Sequence, residues 1–164
     1  MDMNNGMEKY LGTIREGIER LRKYGSKELI LLHHNDSDGL TSGAILYRAF
    51  TREGYDVKKF SLEKPYPAVL DKLFSENKGK IIVFADFAGK IAPMIAGLNK
   101  GRNLVLLLDH HKAEKSPDES VLNLDPDLFG LKGDRDISAS VVCYYFAREL
   151  DSATVADVLA LRGD

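Results

Sequence analysis

A chain of 164 residues, 44% hydrophobic and 29% charged, has the size and composition of one globular domain with its own core. The net charge of −2 supplies no overall basic field of the kind that advertises nucleic-acid binding, although a local basic groove would vanish in that sum. The apolar runs are too short for a membrane span and the opening MDMNNGMEKY lacks a signal-peptide core, so a cytoplasmic protein with no membrane partner is expected. The single cysteine, Cys143, excludes an internal disulfide and, set in SVVCYYFA, reads as a packing residue.

Met7, Leu11, Ile14, Ile18 and Leu21 recur at helical spacing, which predicts an amphipathic helix over 7–23 that ends near Gly25. A strand is expected at 29–34, a helix over 41–53 closed by Gly54, and a second strand at 57–62. Pro65 and Pro67 favour the start of a helix that buries Val69, Leu70, Leu73 and Phe74. Then follow a strand at 81–85, a helix at 91–99, strands at 104–108 and 121–124, and helices at 138–150 and 152–161. Strands that alternate with helices, and are apolar without internal alternation, indicate an α/β fold: a parallel sheet of about five strands with helices on both faces. The stretch 112–119, rich in charge and broken by proline, reads as a loop beside the site.

All four histidines fall in two adjacent pairs, His33-His34 and His110-His111, each at the end of an apolar run and close to an aspartate. A third run, KIIVFADFAGK, delivers Asp86 in the same way. Open parallel sheets keep their ligand sites at the C-terminal edge of the strands, so three strands would aim imidazoles and carboxylates at one place. In His34-Asn35-Asp36-Ser37-Asp38-Gly39, an extended backbone would turn alternate side chains to one side, with Gly39 allowing the turn into a helix. The same DxDG could simply cap that helix, and a lone Asp86 could do likewise. Asp109-His110-His111 is the more telling signal, because adjacent rings behind a strand cannot both point into one core. Imidazole mixed with carboxylate suits manganese, with magnesium as a substitute, and a carboxylate drawn from between the other two motifs is a natural bridge for two ions.

The combination of D-x-D-G after the first strand, an isolated Asp after a later one, and DHH resembles the DHH phosphoesterase superfamily, and HNDSDGLTSGAIL is similar to its archaeal RecJ-like nucleases. The resemblance covers essentially the whole chain and implies a catalytic domain that holds two manganese ions. His34, Asp36 and Asp86 would bind one ion, and Asp38, Asp86 and His110 the other. His111 would touch the scissile phosphate, with Asp109 orienting it. The family's fourth motif, an aspartate after two helices, points first to Asp164 in LALRGD, with Asp134 and Asp136 as alternatives. Ser138-Ala139-Ser140 could donate N–H groups to a phosphate or serve as an ordinary helix cap.

The resemblance further implies hydrolysis of phosphodiesters by a water activated between two metals, as a 5′–3′ exonuclease on single-stranded DNA or RNA. Relatives also cleave short oligoribonucleotides, cyclic dinucleotides and phosphoadenosine phosphate, and others are non-catalytic replication scaffolds, so replication or repair proteins stand among the expected partners. The substrate-gripping C-terminal domain of such relatives, with its Gly-Gly-Gly-His segment, has no counterpart in 1–164, which reads as the catalytic domain of a longer protein.

Overall fold

The structure, a computed structural model, describes residues 3–133 and 135–150. Helix α1 (Met3–Lys23) leads into strand β1 (Glu28–His34), helix α2 (Ser37–Arg52), strand β2 (Asp56–Leu62) and helix α3 (Pro67–Glu76). Strand β3 (Ile81–Ala85), a 3-10 turn (Gly89–Ile91) and helix α4 (Ala92–Asn99) follow. Strand β4 (Leu104–Leu108), strand β5 (Val121–Asn123), a second 3-10 turn (Pro126–Phe129) and helix α5 (Ala139–Leu150) complete the described chain. The expected helix at 152–161 lies outside the described residues.

The five strands form one parallel sheet in the order β2-β1-β3-β4-β5. Successive residues of a strand face opposite sides, and here both sides are covered. Leu29, Leu31, Ile81, Val83, Leu104 and Leu106 pack with Tyr10, Ile14, Leu46, Phe50, Val142 and Phe146 of α1, α2 and α5. Ile30, Leu32, Ile82, Phe84, Val105 and Leu107 pack with Leu70, Phe74, Ala92 and Ile95 of α3 and α4. Two-sided burial is why β3 and β4 are apolar at every position and fully buried. The edge strand β2 is largely exposed and carries two lysines, Lys58 and Lys59, which blunts its open hydrogen-bonding edge.

The chain leaves β1 toward β2 and then crosses to β3 on the other flank of β1, so the order reverses between β1 and β3. Such a switch point opens a crevice beyond the C-terminal ends of the two strands. Helix α2 differs from expectation, beginning at Ser37 rather than 41. Asp36 caps it, its Oδ1 accepting the N–H of Gly39 at 2.8 Å, so Asp38 already stands in the first helical turn rather than on an extended segment. Gly39 is therefore required not by a positive φ but by close approach, since a Cβ there would strike the carbonyl of His34. The helix-cap reading of DxDG holds, the extended alternation does not, and the Asp36 cap also faces His34 in the crevice. Among the described residues, no helix is long and apolar enough to cross a membrane.

Candidate metal centre

The register aligns His33 with Ala85 and Ala85 with Leu108, so the residues just beyond β1, β3 and β4 meet in one row at the switch point. The N–H of Asp86 continues the ladder by donating to the carbonyl of Leu108 at 2.9 Å. Its backbone then turns into the left-handed region at φ 66°, a conformation that Asp tolerates better than most residues. This turn sets the Asp86 carboxylate between two groups of side chains.

On one side, His34, Asp36 and Asp86 offer ligand atoms that all lie within 4.8 Å of one another. His34 Nδ1 is 3.0 Å from Asp36 Oδ2 and 3.7 Å from Asp86 Oδ2. On the other, Asp86, His110 and His111 form a second such triplet, with His110 Nε2 3.4 Å from Asp86 Oδ1 and 3.9 Å from Asp38 Oδ2. Each oxygen of one carboxylate thus addresses a different triplet. Asp86 is 2% exposed, yet its Oδ2 has no hydrogen-bond donor among the described residues. A buried carboxylate oxygen left in this state is costly unless a cation completes it, and the mixed imidazole and carboxylate donors suit a borderline divalent ion. The residues present therefore fit a metal.

The surroundings orient these donors. His110 Nδ1 lies 3.2 Å from the carbonyls of both Gly133 and Ile137, which can only accept, so Nδ1 carries a proton and Nε2 is the atom left to face Asp86 and a metal. Asp38 receives one backbone N–H on each oxygen, from Ala139 and Ser140 at 2.9 Å, at the start of α5. Those N–H groups are thus taken by a side chain from the DxDG motif, which overturns their reading as phosphate donors; Ser138 Oγ accepts from Val141 N–H as an ordinary cap. Asp109 is buried and accepts from Gly89 N–H at 2.9 Å, from His110 N–H at 2.8 Å and from His111 Nδ1 at 2.7 Å.

Charges in the crevice are strongly perturbed. Burial pushes the Asp86 carboxyl above its ordinary range, and the neighbouring Asp36 and Asp38 charges add to this, while His110 pulls the other way. The Asp86 carboxylate in turn raises His110 to about 9. Burial opposes ionisation of Asp109, but the hydrogen bonds from His111 and from backbone N–H groups outweigh it and hold the acid below its usual value. Asp109 raises His111 in return. In the absence of metal, protonated imidazoles stand in for part of the cationic charge that the carboxylates call for.

Of the residues singled out from sequence, His34, Asp36, Asp38, Asp86, Asp109, His110 and His111 gather at the crevice. His33 does not. It is 3% exposed, hydrogen-bonds the carbonyl of His34 through Nδ1 at 2.8 Å, and packs on Gly43, where a Cβ would come within 2.5 Å of its ring. Asp164 and Asp134 lie outside the described residues. Asp136 is exposed and accepts from Lys132 N–H and the Arg135 guanidinium rather than joining either triplet.

Two positions escape a reading of the sequence. Asp125, just past β5, is fully buried beside Gly89 and Asp109; it follows a short strand, as Asp86 and Asp109 do, and that pattern is the signal that could have found it. Gly133 leaves no local signal. Its backbone packs against His110 so tightly that a Cβ would collide with the His110 carbonyl. The Gly133→Ala variant is expected to lose about 1–3 kcal/mol of stability and to bind manganese more weakly, because the loop that holds His110 Nδ1 must move. Urea denaturation and a manganese titration read the two effects, and an unchanged manganese affinity would detach this loop from the site.

Comparison with known proteins agrees with this geometry. Residues 28–161 match the DHH family, N-terminal domain. The chain is 33% identical, over 172 aligned positions, to the uncharacterized protein MJ0831 of Methanocaldococcus jannaschii, covering 100% of this chain and 38% of that protein. It superposes on exonuclease RecJ bound to manganese with a TM-score of 0.67 at 22% identity, covering 86% of this chain and 38% of that one. RecJ from Thermus thermophilus in complex with Mn2+ gives 0.67 at 21% identity, over 87% and 21% of the two chains. The chain thus spans well under half the length of these relatives, and it belongs to the DHH family, as an N-terminal domain with the RecJ fold.

Proposed function

We propose that this chain is the catalytic part of a manganese-dependent phosphodiesterase that hydrolyses single-stranded nucleic acid, releasing nucleotides stepwise from the 5′ end. The observation that carries the reading is the division of Asp86, one oxygen toward His34 and the other toward His110, which is the arrangement of a carboxylate shared by two cations. His34, Asp36 and Asp86 would hold one ion and Asp38, Asp86 and His110 the other, with Asp164 as a further ligand. Family membership and the manganese in the RecJ structures support this assignment.

Bound there, the metals would polarise a phosphoryl oxygen and lower the pKa of a water toward neutrality. The protein's own groups supply orientation and charge. His111 is anchored through Nδ1 on Asp109, which leaves its Nε2 to donate to a non-bridging phosphate oxygen. Asp109 fixes that orientation and favours the protonated ring. The N-terminus of α5 holds Asp38 in place through two hydrogen bonds, so the carboxylate needs no rearrangement when charge develops. Recognition through phosphate predicts little preference for base sequence.

The test is hydrolysis of bis(p-nitrophenyl) phosphate with and without manganese, followed by digestion of end-labelled single strands of graded length. Manganese-dependent turnover with mononucleotides appearing from the 5′ end is expected. No metal-dependent turnover would overturn the hydrolase reading, and activity confined to oligonucleotides of a few residues would replace the exonuclease with a small-substrate phosphodiesterase.

A further inference from the structure

Beside the metal centre opens a cleft of about 570 Å3, lined by His110, His111, Lys112, Asp127, Lys132 and Gly133. Its volume falls in the range of ligand pockets, roughly 300–1,000 Å3. Apart from His110 its lining takes no part in holding the metals, and its charge is opposite to that of the crevice: two lysines and two imidazoles face a single carboxylate. That carboxylate is already engaged on both oxygens. Asp127 Oδ1 lies 3.4 Å from Lys132 Nζ, and Oδ2 accepts the N–H of Ala113 at 3.1 Å. Lys112 has no ion-pair partner among the described residues.

Both lysines are carried on backbone next to the histidines. Lys112 directly follows His111. Lys132 precedes Gly133, the glycine whose backbone must lie against His110, and its own N–H donates to Asp136 Oδ2 at 2.9 Å. The Asp127 carboxylate ties the loop after DHH to the loop that carries Lys132, so both lysines stand on one braced rim. The lining contains no aromatic ring except the two imidazoles, so the cleft is built to attract anions rather than to stack bases.

We propose that the cleft between Lys112 and Lys132 receives a second phosphate group of the substrate, the neighbour of the scissile one along a nucleotide chain. The inference rests on the phosphodiesterase reading for the identity of the scissile phosphate, and it gives substrates with at least two phosphates the tighter binding. Lys132 reaches an incoming phosphate without abandoning Asp127, since an ammonium has three donors. The contact is electrostatic and partly exposed, so it acts on binding, is weakened by salt and is indifferent to base identity.

The experiment compares the protein with its Lys112→Ala/Lys132→Ala and Lys132→Arg variants on bis(p-nitrophenyl) phosphate, which has one phosphate, and on a single-stranded oligonucleotide. The double variant is expected to lose roughly tenfold more kcat/KM on the oligonucleotide than on the small diester, mainly through KM, and its log–log salt slope to flatten by about 0.7 for one lost phosphate contact. Lys132→Arg should retain most of the activity. Equal losses on the two substrates, or no loss on either, would overturn the proposal. Fluorescence anisotropy of a labelled oligonucleotide in EDTA reads the same contact without turnover. A protein that hydrolyses neither substrate but binds the strand in a lysine-dependent way would remove the hydrolase reading and keep the phosphate site; lysine-independent binding would remove the site.

Discussion

Asp86→Asn is expected to reduce manganese-dependent hydrolysis by roughly a thousandfold or more, as loss of a ligand shared by two cations should, while leaving the protein folded. Asparagine is the right probe because it tolerates the left-handed backbone at φ 66°, where alanine would add strain of about 1–2 kcal/mol. It also keeps the shape of the carboxylate while removing its charge and replacing one acceptor oxygen with an NH2 donor. Without metal, that charge is a burden: Asp86 is buried, its Oδ2 has no donor, and Asp36 and Asp38 raise it further. The metal-free variant should therefore melt at or above the metal-free parent. Manganese should reverse the order, because a ligand that binds only the folded state stabilises it by about 2.7 kcal/mol at a hundred times its dissociation constant. Thermal unfolding with manganese and with EDTA, run beside the diester assay, measures both halves. A variant that hydrolyses the diester like its parent, or gains the same manganese-induced shift, would remove Asp86 from the centre of the site.

Much of this arrangement is legible in the chain. Strands β3 and β4 coincide with their apolar runs, because a strand covered on both faces has no polar position to blur its ends. The crevice residues are legible for a related reason: imidazoles and carboxylates directly after such runs are costly to bury without partners, and the parallel topology sends all three ends to one edge. Local readings fail where the deciding partner is distant or has two roles. The start of α2 falls earlier than its apolar pattern implies because Asp36 serves as cap and crevice residue together. The N–H groups of Ala139 and Ser140 look like a free anion site until Asp38, about a hundred positions earlier, is found on them. His33 resembles His34 in sequence, yet strand alternation turns it to the other face, against Gly43. Gly133 has no signature at all, since its need for a missing side chain arises only when its loop meets His110.

Asp125 gives the second large effect, and its sign follows from burial. The residue is fully buried; Oδ1 accepts the N–H of Asp127 at 2.9 Å, and Oδ2 has no partner among the described residues. A Cβ on Gly89 would lie 2.6 Å from Asp125 Oδ2 and 3.2 Å from Asp109 Oδ2, so the two carboxyl groups flank one glycine. Burial first, then the charges of Asp109 and Asp127, raise Asp125 to about 7. Asp109 is held in the opposite direction by His111 and backbone N–H groups, so the neutral member of the pair is Asp125, and Asp109 keeps the charge that His111 requires. A carboxyl group whose folded pKa is raised binds more protons folded than unfolded between its ordinary value and about 7. Its contribution to stability is thus fully present below that window and is lost as pH rises through it, to a total of about 4 kcal/mol. Asp125→Asn retains the cap, stays neutral at every pH and should remove this slope. In EDTA, urea denaturation of parent and variant should give similar stabilities near pH 4.5 and a variant more stable by a few kcal/mol near pH 8. The comparison is differential because other titrating groups are common to both proteins, and curves that run parallel across the range would show that Asp125 is ionised in the fold with a cation or donor beside it.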